Sequence, residues 1–91
     1  MKNYLIERHI PGVHMLSAEQ LREAAATSNA ALDRLGPHIQ WVSSFVTPDR
    51  TFCHYRASGE DIIRDHARMS GFPATTITEI ADTISPATAT G

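Results

Sequence analysis

With 91 residues the chain can build one hydrophobic core, and it is small enough that an oligomer interface could add burial. Ten acidic side chains against eight scattered basic ones leave no basic stripe for phosphates, which sets nucleic acid aside, and the lone Cys53 excludes an intrachain disulfide or a multi-cysteine metal cluster. No apolar run approaches the ~20 residues of a bilayer span, and Glu7 and Arg8 interrupt any signal-peptide core, so a cytoplasmic protein without membrane contact is expected.

Residues 3–9 are β-prone, with Tyr4 and Ile6 on one side and Leu5 and Glu7 on the other, and read as a first strand. The following residues 10–15 carry the Pro11-Gly12 turn pair and read as a loop. Ser17 and Gln20 then form a capping box, flanked by Leu16 and Leu21 at the hydrophobic-staple positions. Leu21, Ala24, Ala25, Ser28, Ala31, Leu32 and Leu35 make the inward stripe of the helix, which Gly36-Pro37 ends. So many alanines predict a close approach of this helix to a sheet.

Residues 39–47 and 51–57, rich in β-branched and aromatic side chains, predict a hairpin across a Pro48-Asp49-Arg50 turn. Ser58 is the expected cap of a second helix running to Ser70-Gly71, with Glu60 and Asp61 in its first turn. At about 100° per residue, Ile62, Ile63, Ala67, Met69 and Ser70 bracket His66 at the centre of the apolar arc. Residues 75–85 are ambiguous between helix and strand, and their threonines favour a strand with an irregularity. Residues 86–91 form a small polar tail, expected to be mobile unless docked.

Strand, helix, strand, strand, helix, strand is the ferredoxin-like βαββαβ plan of the α+β class: a four-stranded antiparallel sheet with two helices on one face, a single domain over residues 1–85. Trp41, Phe45 and Phe52 cannot all hide beneath two short helices, so the open face is expected to pack against a second copy in a homodimer. His54 alternates with Cys53 and Tyr55 and should point into that interface beside Phe52.

Tyr4-Leu5-Ile6-Glu7-Arg8, Gly36-Pro37 followed by Trp41, residues 51–57 (Thr-Phe-Cys-His-Tyr-Arg-Ala), and His66-Ala67 followed by Gly71-Phe72-Pro73 resemble the nickel-binding-protein-like family, domain of unknown function 4242. The resemblance spans nearly the whole chain. It implies a ferredoxin-like fold, a homodimer and nickel binding, with no settled enzymatic reaction. The matching positions are Glu7, Trp41, Cys53, Tyr55, His66, Gly71 and Pro73, of which Glu7, Cys53 and His66 are ordinary metal ligands.

A core-facing imidazole needs an acceptor, a carboxylate or a metal ion. Glu7, Cys53 and Tyr55 lie on strands that neighbour one another in this fold, so His66 could meet carboxylate, thiol and phenol together. Imidazole with carboxylate suits nickel, zinc or copper, and a thiolate favours softer ions. The leading expectation is a small homodimer binding a divalent transition metal, nickel, through His66 with Glu7 or Cys53. The alternative is a cofactor-free ferredoxin-like enzyme of the oxygenase or isomerase type, with His66 and Tyr55 acting on a small apolar substrate. The plainest reading leaves His66 as a hydrogen-bonded core residue, Glu7 in a surface ion pair with Arg8 or Arg56, and Cys53 as a small buried hydrophobe.

Overall fold

Alternation along β1 (Lys2–His9) decides what each side of the sheet carries: Tyr4, Ile6 and Arg8 are buried, while Asn3, Leu5 and Glu7 are only half-covered. The computed structural model describes residues 1–90. After β1 and a 3₁₀ turn at Val13–Met15 come α1 (Ala18–Leu35), β2 (Ile39–Val46), β3 (Arg50–Ala57), α2 (Glu60–Ser70) and β4 (Thr76–Glu79), and a last 3₁₀ turn spans Pro86–Ala89. The strands form one antiparallel sheet in the order β2-β3-β1-β4, the ferredoxin-like arrangement that the element order implies. No helix is long and apolar enough to cross a membrane among the described residues.

The core fills one face of the sheet. Tyr4 and Ile6 of β1, Ile39 of β2, Cys53, Tyr55 and Ala57 of β3, and Ile63 of α2 are buried together, and Leu32 and Leu35 of α1 pack against them. The β1–β3 register sets Tyr4 opposite Tyr55 and Ile6 opposite Cys53, so β-branched and aromatic side chains stack across the two central strands. A bulge between Trp41 and Ser43 lets β2 keep Trp41 over Tyr55 and Ser44 over Cys53 on the same covered face. Phe45 and Phe52 pair on the opposite face, with Phe45 68 % exposed.

The Ser17–Gln20 capping box forms in both directions, Gln20 N–H to Ser17 Oγ at 3.1 Å and Ser17 N–H to Gln20 Oε1 at 2.9 Å. Four local expectations need correction. The segment 10–15 is not wholly irregular, since Val13 is buried and starts a 3₁₀ turn. Arg50, expected in the hairpin turn, already belongs to β3, where its carbonyl accepts the Thr47 N–H at 2.9 Å. Ser58 does not cap α2: Gly59 holds that position in extended backbone, and the Ser58 N–H is committed to the His38 carbonyl at 3.0 Å.

The fourth correction concerns the last strand, expected over residues 75–85 and reduced to Thr76–Glu79. Its register explains the length. Glu79 faces Tyr4 and the Ile80 N–H reaches the Asn3 carbonyl at 2.8 Å, so everything beyond runs past the start of β1 with no ladder left to join. Ile84 is accordingly 80 % exposed. Within the tail expected over 86–91, Pro86–Ala89 are exposed in their 3₁₀ turn, and Gly91 lies outside the described residues.

Candidate functional site

Small side chains on both layers leave room between the first half of α1 and the sheet. Ala24 and Ala25 of α1 face Ser44, Thr51 and Cys53, and the resulting cavity holds about 350 Å³. The alanines of α1 predict a close approach of helix and sheet; the sheet residues lining the same space are small as well, so the layers leave an open-sided cavity instead. Its volume is at the lower end of small-molecule sites, about 300–1,000 Å³. Leu16, Leu21, Val46 and Trp41 make most of the remaining wall apolar, and the indole N–H is already spent on Ser44 Oγ at 2.9 Å.

Polar groups converge at one corner. Ser28 Oγ lies 3.1 Å from His66 Nε2 and 3.5 Å from the Tyr55 hydroxyl, and the Tyr55 and His66 rings pack at 5.3 Å between centroids. Arg8 closes the corner with its guanidinium carbon 5.7 Å from the centre of the Tyr55 ring, within cation–π range. Arg8, Ser28 and Tyr55 line the cavity, while His66 stands behind Ser28 with no exposed surface.

His66 is the core-facing residue that its place on the helical arc predicts, and its partner is a serine. Nε2 also lies 3.3 Å from the Ser28 carbonyl, which can only accept, so Nε2 carries the proton and donates to Ser28. Burial first, and the neighbouring Arg8 cation second, push the imidazole below its ordinary value, with the Ser28 carbonyl opposing them. The ring is therefore neutral at physiological pH. A protonated Nε2 cannot take the Ser28 hydroxyl proton, and Nδ1 is buried without a partner, so no carboxylate orients the ring as a general base requires. Burial likewise pushes the Tyr55 phenol up, against weaker opposing effects of Ser28 and Arg8, and keeps it protonated.

Cys53 and Tyr55 come to the covered face together with His66. Cys53 is buried beside Thr51, with Oγ1 and Sγ 3.4 Å apart. Glu7 does not join them: alternation places it on the open face, where Arg50 Nη1 reaches its Oε1 at 3.2 Å. The expected meeting of Glu7 with His66 is thus not made, and the partner of Glu7 is Arg50 rather than Arg8 or Arg56. His54 lies on the open face as expected, bonded to Asn3 Oδ1 at 2.9 Å. Among the described residues no three histidine, cysteine or acidic side chains converge as metal ligands.

Arg8, expected as a surface ion-pair partner of Glu7, is instead buried at the cavity. It is 3 % exposed, donates through Nη1 to the Pro73 carbonyl at 2.9 Å and the Phe72 carbonyl at 3.4 Å, and leaves Nη2 buried without an acceptor. None of the ion pairs among the described residues involves it. The signal was available in β1, because Tyr4, Ile6 and Arg8 share one parity.

A family model described as "Nickel responsive protein SCO4226-like" matches residues 4–80. The chain belongs to the SCO4226-like family. The match begins within β1 and runs through α1, β2, β3 and α2 to just past the end of β4. A solved structure, the crystal structure of SCO4226 from Streptomyces coelicolor A3(2), superposes with a TM-score of 0.72 at 16 % identity, covering 90 % of this chain and 99 % of that one. At that identity the likeness establishes a shared SCO4226-like fold. No curated protein matches the sequence.

Proposed function

We propose that this member of the family is a binding protein for a small, largely apolar molecule held between α1 and the sheet. The observation that carries the reading is the 350 Å³ cavity, apolar over most of its wall and polar at the Arg8–Ser28–Tyr55 corner. Binding is favoured over catalysis by the state of His66, a proton donor to Ser28 with nothing to orient its other nitrogen.

Trp41, the single tryptophan, lines the cavity and reports on its contents. A neutral aromatic probe, 4-phenylbutanamide, is expected to change Trp41 fluorescence saturably, and Ala25→Phe, which fills the cavity from the helix side, to weaken that binding by at least about tenfold. Equal binding by the variant would move the ligand elsewhere and overturn the reading.

A second reading follows the family description. His66 Nδ1 is a buried nitrogen lacking a partner, and a nickel ion is a chemically apt occupant for it, with Cys53 on the same side of the sheet. One chain does not bring three histidine, cysteine or acidic side chains together among its described residues, so this reading requires donors beyond His66 and Cys53 on the covered face. The apolar pair Phe45 and Phe52 on the open face supports a homodimer through that face. Tag-free, chelator-stripped protein is expected to sediment as a dimer and to take up nickel by calorimetry, with uptake lost in His66→Ala. A monomer that takes up no nickel would end this reading and leave the organic ligand.

A further inference from the structure

Arg8 is a cation 97 % withdrawn from solvent, beside an apolar cavity, with no carboxylate partner among the described residues. Moving a charge out of water carries a large penalty unless an opposite charge offsets it. Two backbone carbonyls and the face of Tyr55 offset part of that penalty, yet neither brings a negative charge, and Nη2 retains unused donors. Proteins rarely keep an arginine in such a place for packing alone, because methionine or leucine would fill the volume without the penalty. The chain itself supplies no such charge among its described residues, and Arg8 lines the adjoining cavity, the space from which an anion could approach it.

We propose that the ligand of this cavity is a monocarboxylate with an apolar body, its carboxylate at the Arg8 corner and its aliphatic or aromatic part between α1 and Trp41. The inference rests on the binding reading above and adds the ligand's chemical class. A carboxylate fits the corner in both charge and number of donors. It gains Arg8 as a charge-assisted partner, and the Tyr55 and Ser28 hydroxyls stand within the same corner to serve its second oxygen. A phosphate group would bring more oxygens and up to two charges to a corner with one cation. The wall away from that corner offers almost no further hydrogen bonds, which selects against sugars and other polyols.

The test is a matched pair, 4-phenylbutanoate against 4-phenylbutanamide, titrated into wild-type protein, with Trp41 fluorescence and ligand-observed NMR as readouts. The two share size and shape, so their affinity ratio isolates the charge. Wild type is expected to prefer the carboxylate by at least about tenfold, with the preference falling to within about twofold in Arg8→Met and persisting in part in Arg8→Lys. Equal affinities in wild type would overturn the carboxylate assignment while leaving the cavity as a binding site. A preference that survives Arg8→Met would overturn the role of Arg8. Binding of neither compound, with octanoate also silent, would overturn both readings together. The wild-type comparison decides the matter even if a variant fails to fold.

Discussion

Replacing Arg8 by methionine is expected to raise the unfolding free energy of the ligand-free protein by about 1–4 kcal/mol, against the usual sign for a buried substitution. The native guanidinium lies in the core without an anion, and methionine occupies a similar volume with a flexible apolar chain. Two hydrogen bonds are lost, but the Pro73 residue that accepts the shorter of them is exposed, so water can take the place of the donor. Urea denaturation with an unchanged m value measures the effect through its midpoint. Destabilisation by more than about 1 kcal/mol would show that the carbonyls and the Tyr55 ring satisfy the charge by themselves.

That sign would link stability to function. A residue kept at a cost to the fold, at the polar corner of a cavity, is what a binding site requires and a core does not. The same logic predicts where the compensation appears: a saturating carboxylate should raise the melting temperature of wild type, by mass action, and should do so far less in Arg8→Met.

Most of the fold is legible because α1 and the hairpin carry strong local signals. The Ser17–Gln20 box and the Gly36-Pro37 stop bound α1, the two β-rich runs mark the hairpin though not the Arg50 edge of β3, and the element order matches the ferredoxin-like plan. The end of β4 was not legible, because it depends on where β1 begins across the sheet rather than on the threonines of residues 75–85. The site was half legible. His66 could be placed from helical periodicity alone, and Cys53 with Tyr55 from strand alternation. Grouping Glu7 with them ran against the parity that had set Leu5 and Glu7 opposite Tyr4 and Ile6, and the same parity puts Arg8 inside. The cavity itself was beyond a one-dimensional reading, since it exists only because small residues on α1 meet small residues on β2 and β3.

His66 gives the second large effect and fixes the pH dependence. Truncation to alanine removes a fully buried side chain and leaves Ser28 without its partner, so His66→Ala is expected to cost about 2–4 kcal/mol. The isosteric His66→Gln should lose less at neutral pH and should separate size from titration. In the native state the ring resists protonation, whereas in the unfolded chain it titrates at its ordinary value near ~6.5. As pH falls below that value the unfolded state binds a proton that the folded state refuses, so stability present above pH ~6.5 drains away toward the folded value. Glutamine has no such proton to gain. The stability advantage of wild type over His66→Gln should therefore shrink between pH 7.5 and pH 5, with the Arg8 cation reinforcing the effect, and Arg8→Met should lessen it. An advantage that grows on acidification would mean that the imidazole is charged in the native state, which the pairing with a serine hydroxyl and carbonyl, rather than a carboxylate, makes untenable. Urea midpoints of the three proteins at the two pH values decide it, and they do so independently of any ligand.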